Sequence, residues 1–322
     1  MPDRILVPLD GSELAARAVP WAEAFAGGLG AEVELVTVVV PDMRTESLEA
    51  EVDMNRRFMS PRPEEAAVER RYEERVDRET AAATSVLEQV RGSLRQTAGV
   101  VMTVLRGEPG DAIVAHIREH GSRLVVMATH ARQGVERAFL GSVAGEVLHQ
   151  SHTRVLLVNP RLELAARVPG RILVALDGSP LADAILPAVV PLAQQLGIRL
   201  ILFTVEELPP PTLPVQGANI PLGLAPARPP AEIAQHLEQV AANLQSQGIG
   251  AEVAAAPGPD RGETIARSAL DLRCDMIAMS THGRHGVGRW IVGSVTDTVV
   301  RIAEVPVLAV CPADARAANP SS

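Results

Sequence analysis

Two stretches of the chain carry serine, glycine and arginine at spacings suited to holding an anion: STHGRHGVGRWIVGSV at 280–295 and ATHARQGVERAFLGSV at 128–143. In the first, Ser280 and Gly283 precede nine residues and then Gly293-Ser294. Glycines let backbone N–H groups approach phosphate oxygens, and a helix beginning at Ser294 would add free N–H groups and a favourable dipole. Arg284 and Arg289 could bring charge to the same phosphates or be solvated surface residues. Ser142 and Ser294 read equally as plain helix caps. The second stretch keeps Gly141-Ser142 but has Ala128 and Ala131 where the first has Ser280 and Gly283, so it is expected to hold an anion less well. A third recurring feature is an aspartate turn, Asp10-Gly11-Ser12 and Asp177-Gly178-Ser179.

These residues sit at matching places in an internal repeat. RILVPLDGSELA at 4–15 returns as RILVALDGSPLA at 171–182, 167 positions later, whereas Gly141 returns as Gly293 after 152. The second copy is therefore 15 residues shorter, and the loss falls between Val38/Val205 and Ile113/Ile265. Strands are predicted near 4–9, 33–39, 100–105, 123–128 and 154–158, then 171–176, 199–205, 251–255, 274–279 and 305–310. Runs such as RLVVMA, DMIAMS and VPVLAV are continuously apolar, as in parallel strands covered on both faces. Helices are expected over 12–28, 63–96, 108–120 and 142–151, with counterparts in the second copy; Ser12 and Ser179-Pro180 are N-terminal signals.

The pattern gives an α/β protein of two tandem doubly wound, Rossmann-like domains, each a five-stranded parallel sheet of order 3-2-1-4-5 with helices on both faces. Domain 1 is assigned to 1–158, a linker to 159–170, domain 2 to 171–312 and a flexible tail to 313–322. Residues 41–62 and the stretch 206–230, with eight prolines, read as irregular surface loops or lids. In such a sheet ligands bind beyond the carboxyl ends of the strands where the order reverses, here between strands one and four. The aspartate turn follows strand one and the glycine motif follows strand four, so two separate features meet at one crevice.

Composition excludes several classes. All 30 basic residues are arginine, which removes the phosphate-loop lysine, Schiff-base chemistry and the lysine-dependent kinase signature. A net charge of −9 and only 2% aromatics oppose general nucleic-acid binding and base stacking. No apolar run approaches the ~20 residues of a membrane span, and MPDRILVPLDGS does not read as a signal peptide, so a cytoplasmic protein is expected. The two cysteines, Cys274 and Cys311, open and close neighbouring parallel strands, about 16 Å apart; a disulfide needs about 7 Å, so both should be free thiols. His149-x-x-His152 and His282-x-x-His285 lack a third ligand at metal-site spacing, and no catalytic residue is assigned.

The repeated strand-one aspartate, the near-match to Gly-x₂-Gly-x₉-Gly-Ser/Thr and the GSV helix start together resemble the nucleotide-binding group of the universal stress protein (UspA) family, across Arg4–Val158 and Arg171–Val310. The resemblance implies ATP, with or without Mg²⁺, bound between strands one and four. In domain 2, Asp177 would contact the ribose and Val205 the adenine, with Ala175 and Leu176 nearby. Ser280, Gly283, Gly293 and Ser294, helped by Arg284, would hold the phosphates. The weaker domain-1 counterparts are Pro8, Leu9, Asp10, Val38, Ala128, Ala131, Gly141 and Ser142. The resemblance also implies pairing through the last strands, here within one chain as a pseudo-dimer, and a homo-oligomer, a dimer of two such chains, is expected. A regulatory stress-response role without dedicated catalysis is expected. A slow ATP hydrolase, or a partner-binding module without nucleotide, is the alternative.

Overall fold

A computed structural model describes residues 3–41, 63–95, 99–129, 140–160, 162, 165–206, 212–215, 218–221, 230–281 and 293–312. The first half runs β1 (Arg4–Leu9), α1 (Glu13–Ala16), α2 (Val19–Leu29), β2 (Glu32–Val39), α3 (Pro63–Arg91), β3 (Val100–Arg106), α4 (Pro109–His120), β4 (Leu124–Ala128), α5 (Ser142–Gln150) and β5 (Val155–Val158). The second runs β6 (Arg171–Ala175), α6 (Pro180–Asp183), α7 (Leu186–Leu196), β7 (Arg199–Glu206), β8 (Thr212–Val215), β9 (Ala218–Pro221), α8 (Pro230–Ser246), β10 (Ala251–Pro257), α9 (Arg261–Asp271), β11 (Met276–Ser280), α10 (Ser294–Ile302) and β12 (Val307–Val310).

Ten strands form one sheet in the order β10-β7-β6-β11-β12-β5-β4-β1-β2-β3. Each half contributes five of these strands in the expected 3-2-1-4-5 order, and within this sheet every pairing inside a half is parallel. The halves meet through one antiparallel pair, β12 with β5, in the register Val307↔Leu157 to Ala309↔Val155. The expected intrachain pseudo-dimer is therefore a continuous sheet. Its alternating strand residues feed two apolar layers, and each layer runs through both halves: one joins Val7 and Val174 to α2, α7 and α8, the other joins Leu6 and Leu173 to α4, α5, α9 and α10. Across the seam, the Gln195 side chain of α7 donates to the Leu29 carbonyl of α2 (3.2 Å) and accepts from Arg123 (3.1 Å).

The elements differ from the sequence reading chiefly in three places, one being the helix expected over 63–96, which ends at Arg91. The helix expected over 12–28 is two helices, with the second starting at Val19 beside Pro20, which has no N–H to continue the first. The proline-rich stretch 206–230 contains a two-stranded antiparallel hairpin, Thr212↔Pro221 to Val215↔Ala218. Its prolines are accommodated because both strands of so small a sheet are edges. The 42–62 segment and the 313–322 tail lie outside the described residues. Among the described residues no helix is long and apolar enough to cross a membrane.

Candidate functional site

At the end of β6 the chain turns sharply through Gly178, whose φ of +71° suits glycine. Asp177 fixes this turn: its Oδ1 accepts the Ser179 N–H at 2.9 Å, and Ser179 Oγ in turn accepts the Ala182 N–H at 3.2 Å to cap α6. Pro180 takes the first helical position, as the sequence indicated. Domain 1 repeats the device at Asp10, where Oδ1 accepts from Ser12 N (2.9 Å) and Ser12 Oγ (2.6 Å), with Gly11 at φ +82°. In both halves the aspartate is thus part of the turn that follows the first strand. Asp177 is half-buried whereas Asp10 is exposed.

β7 continues to Val205 and Glu206 past the pairing of Ala175 with Phe203, and Leu176 N–H donates to the Phe203 carbonyl at 2.8 Å. Ala175, Val205 and the domain-1 residue Val38 are half-buried at the border of the α4/α9 layer. Leu176 and Leu9, at 3% and 5% exposure, are buried in the opposite layer, so only their main chain faces the crevice. Pro8 is half-buried near the end of β1.

The second half of the site follows β11. Ser280 pairs with Val310, and the Thr281 N–H donates to the Val310 carbonyl at 2.9 Å. The chain returns at Gly293, whose N–H donates to the Thr281 carbonyl at 3.0 Å, stitching the two ends of the motif loop together. A Cβ on Gly293 would stand 2.6 Å from that carbonyl oxygen, closer than side-chain carbons approach. Gly293 is therefore required by this closure. Thr296, which sequence reasoning missed, donates Oγ1–H to the Ser280 carbonyl at 3.2 Å and pins the first turn of α10 to the end of β11. Its signal was the GSVTDT sequence, with a hydroxyl two residues into the helix.

Gly293, not Ser294, is the N-cap of α10, and no side chain caps it; the same holds for Gly141 and α5. Ser294 and Ser142 are exposed first-turn residues, so the plain-cap reading of these serines does not hold. Ala128 ends β4 beside Val158, and Ala144 occupies the place of Thr296, so domain 1 has no counterpart of the hydroxyl that pins the helix. Gly283, Arg284, Arg289 and Ala131 lie outside the described residues. The structure thus brings Asp177, Val205, Ser280, Gly293 and Ser294 to the carboxyl ends of β6, β7 and β11, the neighbouring strands on either side of the reversal. Among the described residues there is no group of three or more His, Cys, Asp or Glu able to hold a metal.

The universal stress protein family model matches residues 1–159 and again 169–310. The chain belongs to the universal stress protein family. Among solved structures, a universal stress protein from Archaeoglobus fulgidus DSM 4304 shares 19% identity with it at a TM-score of 0.67, with 96% of this chain and 98% of that chain covered. A candidate universal stress protein from Pseudomonas aeruginosa UCBPP-PA14 shares 16% identity at 0.58, with 98% and 96% covered. At these identities the likeness is one of fold. No curated protein matches the chain. This tandem universal stress protein also carries a buried charge cluster absent from the sequence reading. Glu34, 1% exposed in the middle of β2, accepts from Thr103 Oγ1 (2.7 Å), meets His116 Nε2 at 2.9 Å and pairs with Arg4 at 3.4 Å. Burial pushes its carboxyl up, but the Thr103 hydrogen bond, His116 and Arg4 outweigh burial and hold it below 4.5. The only signal was an acid flanked by Val33 and Leu35 within a largely apolar strand.

Proposed function

We propose that the chain is an adenine-nucleotide-binding regulatory protein, holding ATP at the carboxyl rim of domain 2 between β6 and β11. The observation that carries this reading is the meeting of the Asp177 turn with the Thr281–Gly293 closure on neighbouring strands. Beside them the α10 N-terminus has no side-chain cap, and a helix start of this kind favours phosphate. Asp177 would engage the ribose, Val205 and Ala175 the base, and Ser280, Gly283, Gly293, Ser294 and Arg284 the phosphates. Mg²⁺, where present, would be held chiefly by the phosphates, with Asp177 nearby.

Domain 1 is the weaker site. Ala128 and Ala131 replace the early glycines, and Ala144 cannot pin its helix as Thr296 does. The division of labour is a nucleotide-loaded domain 2 beside a largely structural domain 1, in a cytoplasmic protein whose two cysteines are unlinked. In this reading the protein holds and reports nucleotide, and no residue is assigned a catalytic role. Two chains associating further would do so through surfaces other than β5 and β12.

Acid denaturation of freshly purified protein, with chromatography of the released nucleotide, tests this directly. About one nucleotide per chain is expected, retained in Asp10→Ala and lost in Asp177→Ala. Asp177→Asn keeps the Oδ1 acceptor of the turn, so it should fold like the parent and separate loss of a ribose contact from loss of the turn. Absence of nucleotide together with no calorimetric ATP affinity refutes nucleotide binding. Two nucleotides per chain, or loss in Asp10→Ala, refutes unequal sites. Turnover near the ~1 s⁻¹ floor of ordinary enzymes, abolished in Asp177→Ala, would make the protein a hydrolase.

A further inference from the structure

The seam between the domains brings together two residues that lie 162 positions apart in sequence: Cys311 Sγ is 3.6 Å from His149 Nδ1. Cys311 immediately follows β12, and His149 is in the last turn of α5, so one residue comes from each domain. The antiparallel β12–β5 pairing sets their meeting, because it runs the carboxyl end of β12 toward the start of β5, where α5 also ends. We infer that Cys311 and His149 form a reactive thiol–imidazole pair, a site of covalent modification by peroxides and by small disulfides.

Three features support the chemistry. A thiol within hydrogen-bond reach of an imidazole can pass its proton to the ring, giving a thiolate beside an imidazolium, the nucleophilic form. His149 stands in the last turn of α5, where the helix dipole favours positive charge. Cys311 is half-buried with part of its surface open to solvent. The chain's other cysteine, Cys274, provides an internal contrast. It is 5% exposed, and burial pushes its thiol up to about 11 despite Arg171 nearby, so it stays protonated at neutral pH.

With a peroxide, the Cys311 sulfur attacks one oxygen, the O–O bond breaks, and the leaving hydroxide takes the imidazolium proton; the products are a sulfenic acid and water. With a small disulfide, the sulfur attacks one sulfur of the reagent, the S–S bond breaks, and the second half leaves as a thiolate, giving a mixed disulfide. Cys274 lies at the opposite end of neighbouring strand β11, so no internal cysteine is placed to resolve either product. Val310, the residue before Cys311, is the one whose carbonyl receives the Thr281 N–H. An adduct would therefore sit one residue from the start of the motif loop. The pair's reactivity does not depend on whether that loop holds a nucleotide.

The test is the alkylation rate of full-length protein by iodoacetamide, followed by intact mass and peptide mapping, with hydrogen peroxide and oxidised glutathione as separate reagents. A single adduct at Cys311 is expected at neutral pH and none in Cys311→Ser. In His149→Ala and His149→Gln the rate at pH 7 should fall about tenfold, and its midpoint against pH should rise toward the ordinary thiol value of about 8.5. Two variants guard against a folding defect in one. Adducts mapped to Cys274, a Cys311 no faster than free glutathione at pH 7, or a pH profile unmoved by either His149 variant would overturn the assignment.

Discussion

Gly293→Val is expected to weaken ATP binding to domain 2 by at least tenfold while leaving the protein folded. The glycine stands where the motif loop closes, with its N–H on the Thr281 carbonyl at 3.0 Å and the site of its missing Cβ 2.6 Å from the same oxygen. A side chain there must push apart the end of β11 and the start of α10, both backbone and neither able to swing aside as a flexible side chain would. Overpacking of this kind costs about 1–3 kcal/mol. The strain falls on the closed geometry that presents the first-turn N–H groups, so it should appear in binding, where 1.4 kcal/mol is about tenfold. Thr296→Val, which loses the Oγ1 bond to the Ser280 carbonyl, should weaken binding in the same direction by a smaller factor. Calorimetry with ATP, paired with a thermal melt, measures both. Unchanged affinity in Gly293→Val would mean that the closure plays no part in holding ligand.

The other large effect belongs to stability and to domain 1. Glu34→Ala removes the centre of the buried cluster and leaves His116 and Thr103 facing each other without their shared acceptor. Glu34→Ala strands two buried hydrogen-bonding groups at about 1–3 kcal/mol each and removes the partner of the partly exposed Arg4, so a loss of about 3 kcal/mol is expected. Domain 2 shows the alternative solution at the same sheet positions: the register places Ile201 at the site of Glu34 and Ala254 at that of Thr103, and the helix repeat places Ser268 at that of His116. The triple variant Glu34→Ile, Thr103→Ala, His116→Ser should therefore recover most of the loss, since apolar replacement of a whole buried ionic group is commonly near neutral.

The pH dependence follows from the same cluster. Because the folded state holds the Glu34 carboxyl below 4.5, its contribution is full above that value and is lost as pH falls through the lower folded one. The triple variant should lack this acid-side loss. Denaturant midpoints against pH for parent, single and triple variants check these statements. A triple variant as unstable as Glu34→Ala would show that the surrounding packing has become specific to the ionic arrangement.

Much of this architecture could be read from the chain. Continuous apolar strands, separated by helices and repeated at a nearly constant offset, allow only a few topologies, and the doubled Asp-Gly-Ser marks the first turn of each copy. The serines Ser12 and Ser179 cap where their neighbours said they would, because capping is decided within four residues. What escaped depends on contacts far apart in sequence. The steric demand on Gly293 comes from a carbonyl twelve residues earlier, and the Glu34 cluster gathers residues from four elements. The Cys311–His149 approach exists only because β12 pairs with β5. Pro20 could have been read as a helix break; the apolar periodicity running across it hid the interruption.

The single antiparallel pairing at the centre of the sheet has a consequence for how this protein can change. In an assembly of two identical chains, every substitution appears on both sides of the axis, so a site cannot be weakened on one side alone. Here the two sides of the pseudo-axis are separate stretches of one gene product. Ala128 can stand in one half where the other has Ser280, Ala144 where the other has Thr296, and a histidine from one half can meet a cysteine from the other with no mirror-image copy of that meeting. Covalent linkage has turned a symmetric partner into an inherited neighbour, and each half is free to specialise against the other.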